Sequence, residues 1–197
     1  MNKHIKSIPD EISIAEFFKL RWSSVAFSNE VPSDEELSSI FTAGSWVSSS
    51  MNEQPWRFVI AKHGTELFDS FCNVLAPANQ QWACNAGVLI AVLVENNFSK
   101  TQSLNIHAWH DVGAAQAYML LEAAQLGIYG HQMGGFDKEQ ARELLKLNPS
   151  MDIICFMALG YIDTNRPMDE NLQKRESTPR TRKPLESFVF NAIEDIN

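Results

Sequence analysis

One uninterrupted apolar stretch, residues 87–94, constrains the fold of this chain more than any other part of the sequence. Such a stretch is typical of a strand that is buried on both faces, so other layers must cover the sheet on each side. Residues 57–62 and 152–161 also have the pattern of strands, and residues 129–136 have that of a short strand or turn.

Helical spacing covers residues 65–75 and 108–126, and other helices are expected to begin at Ser13, Ser33 and Asp137. Each of these three residues is followed three positions later by Glu or Gln, which is the pattern of a capping box. The helix at 108–126 is rich in Gly and Ala, so it is expected at the centre of the fold or in a subunit interface. Together the elements predict an α+β fold, with a central mixed or antiparallel sheet flanked by helices.

The length of 197 residues and the hydrophobic content of 45% suit a single domain, residues 1–197. A formal charge of −8 argues against a nucleic-acid partner, because phosphate binding needs clustered Lys and Arg. No apolar run has the length of a signal peptide or a membrane span, so we expect no membrane association and a cytoplasmic location. Cys72, Cys84 and Cys155 are odd in number and widely spaced, so they are expected to be reduced thiols.

The motifs of several other classes are absent from the sequence. There is no Gly-x-x-x-x-Gly-Lys loop, no Gly-x-Gly-x-x-Gly after a strand and no Gly-x-Ser-x-Gly elbow. His107 and His110, with Asp111 beside them, have a spacing that can begin a metal site, but no third ligand is evident, so no metal is predicted. The basic residues between Lys174 and Lys183 form either a solvated tail or an anion site, for which another segment must supply a partner.

Four motifs occur in the order that is typical of one flavoprotein family. The first is Arg21-Trp22-Ser23, and the second is Ser48-Ser49-Ser50-Met51-Asn52-Glu53-Gln54-Pro55-Trp56. The others are Met133-Gly134-Gly135-Phe136-Asp137 and the strand end Leu159-Gly160-Tyr161. With these motifs, over roughly residues 12–189, the chain resembles the nitroreductase family. The resemblance implies a nitroreductase-like α+β fold and an intertwined homodimer with FMN at the subunit interface.

In that family one subunit holds most of the FMN, and the second subunit lends it a loop. The resemblance implies that Arg21 and Ser23 contact the ribityl-phosphate side and the pyrimidine edge of the flavin, with Trp22 in the same segment. It implies that the loop from the second subunit consists of Ser48, Ser49, Ser50 and Asn52. The cofactor-binding residues that it implies elsewhere are Asn79, Met133, Gly134, Gly135, Arg180 and Arg182.

The resemblance also assigns roles to these later residues. The backbone of Gly134 and Gly135 is expected near flavin N5, and Arg180 and Arg182 are expected at the FMN phosphate, with Lys183 as an alternative to Arg180. Residues 164–197 would thus form a C-terminal extension that contributes to the phosphate site and the dimer, while residues 1–11 form an N-terminal arm. His131 either faces the pocket and influences the substrate or packs inside the protein. No side chain is expected to act as a general acid.

The implied activity is that of an FMN-dependent NAD(P)H oxidoreductase. Such an enzyme reduces nitro-aromatic, quinone or related small organic acceptors by ping-pong hydride transfer through flavin N5, with NADH or NADPH as the transient donor. Trp22 and Val25 stand where family members often have basic residues. The absence of those basic residues is expected to affect the reduction potential of the flavin. Two alternatives stay open: dehalogenation or enone reduction on the same scaffold, and a flavin-binding or flavin-sensing protein with little turnover.

Overall fold

A computed structural model describes Lys6, Ile8 and residues 12–196, except for the side chains of residues 195 and 196. The rest of the predicted N-terminal arm, residues 1–11, lies outside the described residues. The strands Trp56–Lys62 (β1), Val88–Glu95 (β2), Tyr129–Met133 (β3) and Met151–Gly160 (β4) form one sheet in the order β1-β2-β4-β3. Each neighbouring pair is antiparallel, so the sheet is antiparallel and not mixed.

Strand β2 lies between β1 and β4, and its residues from Val88 to Val94 are at most 2% exposed. Its side chains alternate between two hydrophobic clusters, as the two-residue period of a strand requires. Leu89, Ala91 and Leu93 belong to one cluster, and Val88, Ile90, Val92 and Val94 belong to the other. The prediction of a strand that is buried on both faces is therefore confirmed.

The described residues contain seven α-helices: Glu16–Leu20 (α1), Asp34–Ser45 (α2), Glu66–Val74 (α3), Pro77–Ala83 (α4), Ala108–Gln125 (α5), Lys138–Leu144 (α6) and Glu170–Ser177 (α7). Helices α2 and α5 cover the sheet face that carries Val88 and Ile90. Helices α3, α4, α6 and α7 contribute buried residues to the cluster on the opposite face. None of the helices in the described part of the chain is long and apolar enough to cross a membrane.

Helices α2 and α5 pack closely, and the small residue at their contact is Gly44 of α2. A Cβ atom on Gly44 of α2 would lie only 2.6 Å from Met119 Cγ of α5, so a glycine is needed there. On the other side of α5, Gly113 and Ala117 are exposed, and a Cβ atom on Gly113 would meet no atom within 4 Å. Helix α5 is therefore central to the fold, and it also presents a narrow, uncovered side.

The structure corrects some of the predicted helix boundaries. Ser13 does not cap α1, because the N-cap residue is Ala15 and no side chain caps the helix. The capping box at Ser33 is complete, and Asp137 accepts a hydrogen bond from the Gln140 backbone N–H, so these two helix starts are confirmed. Helices α4 and α7 were not predicted, since few of their residues are apolar and buried.

The prediction of three reduced cysteines is wrong for two of them. Cys72 of α3 and Cys84, the residue after α4, form a disulfide, with a Cα–Cα distance of 5.6 Å. Their separation of 12 residues suggested no pairing, because the intervening helix α4, which returns the chain to α3, was not recognised. Cys155 is free and buried, and burial raises the pKa of its thiol to about 11.

The sheet has two ends that matter for the site. At the first, here called the Gly160 end, Tyr129 pairs with Gly160, and Phe27 forms a bridge with Ile162. At the opposite end, the Trp56 end, Trp56 pairs with Val94. Along β2, Val88 at the Gly160 end and Val94 at the Trp56 end are six steps of the chain apart, which corresponds to about 20 Å at the rise of a strand. The Arg21–Trp22–Ser23 motif therefore lies at one end of the sheet, and residues 48–54 lead into the other.

Candidate functional site

Three guanidinium groups meet at the Gly160 end of the sheet. Arg180 donates from Nη1 to the Arg21 carbonyl at 2.7 Å and from Nη2 to the Lys19 carbonyl at 2.6 Å. Its Nε is buried and has no acceptor among the described residues. The pKa of Arg21 is lowered, mainly by burial and further by the charge of Arg182. The pKa of Arg180 is lowered, mainly by burial and further by the charges of Arg21 and Arg182.

This arginine cluster, Arg21, Arg180 and Arg182, has no acidic partner in the described part of the chain. Arginine remains protonated at neutral pH, so the cluster concentrates positive charge on a protein whose overall charge is negative. The sequence predicted that Arg21, Arg180 and Arg182 act together, and the structure brings them together. The unpaired buried Nε and the mutual repulsion of the charges both fit a site for a phosphate or another anion.

Arg21 has extended backbone angles, and burial alternates from Arg21 to Ser24, as it does in an extended chain whose successive side chains point in opposite directions. Trp22 and Ser24 are buried, whereas Ser23 is exposed and its hydroxyl has no partner among the described residues. Trp22 packs on Tyr129, with the ring centroids 4.2 Å apart, and its indole N–H donates to Glu176. Arg21 and Ser23 thus face outward, but Trp22, which was included in the predicted cofactor site, faces the protein interior.

His131 is buried among protein groups at 8% exposure. Its Nδ1 lies 2.7 Å from the Ser24 carbonyl, and its Nε2 lies 3.0 Å from Nη2 of Arg175. Burial lowers the pKa of His131 to about 4, so the ring is neutral at pH 7 and Nε2 accepts a hydrogen bond from the guanidinium. Of the two predicted roles, these contacts favour that of a packed residue over one that faces a substrate.

The turn after β3 contains Gly134 and Gly135 and is fixed from α4. The Gly135 carbonyl accepts hydrogen bonds from the Ala76 backbone N–H at 3.0 Å and from Asn79 Nδ2 at 2.9 Å. Gly134 is exposed, and a Cβ atom there would meet no atom within 4 Å. Asn79 therefore supports the turn from behind, and Gly134 offers an open backbone face to a ligand. Met133 is only 3% exposed, so its side chain belongs to the core.

The loop before β1 has an unusual backbone. Met51, Asn52 and Gln54 have φ angles of 55°, 56° and 53°, in the left-handed region that residues other than glycine seldom occupy. The buried carboxylate of Asp111 in α5 accepts from the Ser50 N–H at 2.9 Å, and Ser49 Oγ accepts from the Gln54 N–H at 3.0 Å. Asn52 is exposed, and its side-chain amide has no partner among the described residues.

Residues 48–54 lie at the Trp56 end of the sheet, whereas the arginine cluster lies at the Gly160 end. The fold of one chain therefore does not bring Ser48, Ser49, Ser50 and Asn52 to Arg21 and Ser23. Trp56 is 9% exposed and packs in the core. In the described residues no group of three or more His, Cys, Asp or Glu side chains is arranged to hold a metal ion.

Two residues that support the site are not predicted from the sequence. Asp111 was considered only beside a possible metal site, whereas it holds the backbone of the loop at Ser50. Glu176 binds Trp22, Ser24 and Val25, which lie more than 150 residues earlier in the chain. No local spacing rule connects residues so far apart, and α7 itself was not predicted, so the sequence contained no signal for Glu176.

Comparisons with known proteins agree with this architecture. A model of the nitroreductase family matches residues 19–71 and 66–161. A solved oxidoreductase that contains FMN is 30% identical and superimposes with a TM-score of 0.88, with 97% of each chain covered. A candidate nitroreductase from Desulfovibrio desulfuricans, solved in complex with FMN, shares the fold at 23% identity and a TM-score of 0.71, covering 90% of this chain and 95% of its own.

A curated relative from Archaeoglobus fulgidus carries the description of a candidate NADH dehydrogenase/NAD(P)H nitroreductase. It is 29% identical over 155 residues, which are 76% of this chain and 83% of the relative. The fold that these comparisons define is the nitroreductase-like α+β fold that the sequence predicted. The chain belongs to the nitroreductase family.

Proposed function

We propose that this protein is an FMN-dependent NAD(P)H oxidoreductase that reduces small organic acceptors such as nitro-aromatics and quinones. The observation that carries the proposal is the arginine cluster with the unpaired, buried Nε of Arg180. The FMN-containing oxidoreductase that matches 97% of the chain supports the choice of FMN as the anion. The description of the Archaeoglobus relative supports NADH or NADPH as the reductant.

The residues present fit the phosphate end of FMN. Arg21, Arg180 and Arg182 would donate charge-assisted hydrogen bonds to the phosphate, and Ser23 would add its hydroxyl. Each such bond contributes about 1.5–3 kcal/mol, and a dianion also offsets the repulsion among the three guanidiniums. Bound FMN supplies the chemistry that carries a hydride equivalent from NAD(P)H to the acceptor.

The Gly134–Gly135 turn would support the isoalloxazine ring. A planar ring can approach the Gly134 backbone closely because no Cβ atom projects there. The carbonyl of Gly135 is already engaged by Ala76 and Asn79, so the orientation of the turn is set before the ligand binds. Asn79 would therefore act through the turn, and the backbone would present polar groups to the ring without rearranging.

The site would be completed by a second copy of the chain. Ser49, Ser50 and Asn52 lie at the opposite end of the sheet from the arginine cluster of their own chain, and these ends are about 20 Å apart, so the three residues would reach the FMN of the other subunit. The exposed side of α5 carries Trp109 at 50% and Tyr118 at 48% exposure beside the small residues Gly113 and Ala117. The C-terminal segment adds further exposed apolar residues: Leu185, Phe188, Val189 and Ile193. Exposed apolar residues in such numbers are typical of a subunit interface.

A purified sample tests the proposal directly. We expect a yellow dimer whose bound flavin is bleached by NADH or NADPH without oxygen and recovers its colour when a nitro-aromatic or quinone is added. A protein that takes up no FMN, or a flavin-bound monomer by native mass spectrometry, would contradict the proposal. Bleaching that only halogenated or enone acceptors reverse would favour the other chemistries on this scaffold. Bound flavin that neither NADH nor NADPH bleaches would favour a binding or sensing protein.

Substitution of the arginine cluster tests the assignment of individual residues. Arg182→Ala removes a guanidinium whose only hydrogen bond within the described part of the chain goes to the carbonyl of Thr181. Lys174→Ala is a matched control, because Lys174 is an exposed basic residue of α7 outside the cluster. We expect Arg182→Ala, but not Lys174→Ala, to release FMN during purification or dialysis.

A further inference from the structure

The Glu176 carboxylate lies against the backbone segment that carries Arg21 and Ser23. Its Oε1 accepts from Trp22 Nε1 at 3.2 Å and from the Ser24 hydroxyl at 3.0 Å. Its Oε2 accepts from the Val25 backbone N–H at 2.9 Å. The two oxygens thus accept three hydrogen bonds from one side of the segment.

The carboxylate is itself held in place by the rest of α7. Asp169 caps the start of the helix through the Leu172 N–H at 2.8 Å, and Leu172 is buried in the core. At the other end, Lys6 Nζ donates to the carbonyls of Arg175 at 2.8 Å and Thr178 at 2.6 Å. Because both ends of α7 are fixed, Glu176 has little freedom to follow a displaced segment.

A second set of contacts joins α7 to the same segment from the other side. The Arg175 guanidinium lies 5.6 Å from the centroid of the Trp82 ring and donates to His131 Nε2. His131 Nδ1 in turn contacts the Ser24 carbonyl. Ser24 is therefore held through its hydroxyl by Glu176 and through its carbonyl by His131, so its backbone orientation is fixed from two directions.

We infer that Glu176 is a positioning residue for the cofactor site, acting through the segment Trp22–Val25 without contacting the cofactor. In an extended chain, holding Trp22 and Ser24 inward compels Arg21 and Ser23 to face outward on the opposite side. The inference rests on the proposed FMN site and adds the element that orients its first motif.

The variant Glu176→Gln tests this role. Glutamine preserves the shape of the side chain, but its amide nitrogen cannot accept a hydrogen bond, so either Val25 N–H or Trp22 Nε1–H loses its acceptor. Glu170→Gln is the matched control, because it removes the same charge from an exposed position of the same helix. Both apoproteins are titrated with FMN well below their unfolding temperatures, and the circular dichroism of the bound flavin is recorded.

If Glu176 positions the segment, Glu176→Gln weakens FMN binding by about tenfold or more relative to Glu170→Gln and changes the flavin circular dichroism. A residue that only stabilises the fold would lower the unfolding temperature while leaving both readouts unchanged. FMN affinity within about twofold of the control, with an unchanged flavin spectrum, would therefore overturn the inference.

Should Glu176→Gln fail to fold, Trp22→Phe decides the question, since it removes the indole N–H donor to Glu176 and keeps an aromatic ring against Tyr129. The same two outcomes then apply, with Phe17→Leu in the exposed first helix as its control. The failure of the inference is distinguishable from that of the proposed function. Wild-type protein that binds no FMN refutes both, whereas wild-type binding with unaffected variants refutes only the role of Glu176.

Discussion

Arg182→Ala should have opposite effects on the stability of the apoprotein and on the affinity for FMN. Arg182 lowers the pKa of both Arg21 and Arg180 through its charge, which means that it destabilises their protonated forms. Its side chain donates only to the carbonyl of Thr181 among the described residues, so few favourable contacts are lost with it. Removing it therefore relieves repulsion in the apoprotein, while the same change removes a donor to the phosphate when FMN is bound.

The two magnitudes differ enough to be measured separately. Arg182 is exposed, so solvent screens the repulsion, and the gain in the unfolding free energy of the apoprotein is a few tenths of a kcal/mol, or about 1 °C in Tm. The lost charge-assisted bond to a phosphate is worth about 1.5–3 kcal/mol, which corresponds to a Kd for FMN that rises about 10- to 100-fold.

Differential scanning fluorimetry of apoprotein and FMN-loaded protein, at about 0.05 M and 0.5 M salt, measures both effects. The gain in the apoprotein should shrink at high salt, because the Debye length falls from about 14 Å to about 4 Å. Lys174→Ala serves again as the control for the loss of one surface cation. These measurements test whether the cluster is an anion site maintained at the expense of stability. That hypothesis would be refuted if Arg182→Ala made the apoprotein less stable and left the Kd for FMN unchanged.

Three further predictions follow from the buried groups. The pKa of His131 is lowered from 6.5 to about 4, so the contribution of the neutral ring to the unfolding free energy is fully present above about pH 6.5 and is lost as the pH falls towards 4. Urea unfolding should show a loss of up to about 3 kcal/mol over this range. His131→Gln should flatten this dependence, and an equally steep profile in the variant would contradict the prediction. The Cys72–Cys84 disulfide should stabilise the protein by about 2–4 kcal/mol. A reductant should therefore lower the Tm of the wild type by several degrees and leave the Tm of Cys72→Ser unchanged. An identical response of the two proteins would be inconsistent with the disulfide. Gly44→Ala should lower the unfolding free energy by about 1–3 kcal/mol in urea unfolding, because its Cβ would lie 2.6 Å from Met119 Cγ. An unchanged unfolding free energy would mean that Met119 moves freely.

The parts of the fold that the sequence predicted are those set by local patterns. The apolar run that became β2, and the capping residues Ser33 and Asp137, depend on neighbours within a few positions, so their signals survive in a single sequence. Helices α4 and α7 do begin with local signals, Pro77 at the first position of α4 and the N-cap residue Asp169 of α7, but they are short and bury few residues, so no apolar period marks them. The Cys72–Cys84 pair was missed for the same reason, since it exists only because α4 returns the chain to α3.

The candidate site divides in a similar way. A role of Arg21 and Ser23 in the site could be predicted because they stand in a short motif. A role of Arg180 and Arg182 could be predicted because the resemblance connects the basic C-terminal segment with the FMN phosphate. A motif gives the position of Trp22 in the sequence but not the direction of its side chain. In the structure Trp22 points inward and donates to Glu176. The residues that orient the motif, Glu176 and His131, act across more than a hundred positions of the chain and leave no pattern that can be read locally.

The strained loop before β1 allows a direct test of whether its conformation serves the cofactor. Met51 is 86% exposed with a φ of 55°, so the backbone strain there is not repaid by packing within the chain. Met51→Gly should stabilise the apoprotein by about 0.5–1 kcal/mol, because glycine adopts this conformation without steric cost. Asn52→Gly relieves the neighbouring position, whose φ is 56°, but it also removes the amide that we propose for the flavin of the other subunit. If the loop is shaped for the cofactor, both variants raise the Tm of the apoprotein and only Asn52→Gly weakens FMN binding. Equal affinity of the two variants for FMN would show that the strain has another cause.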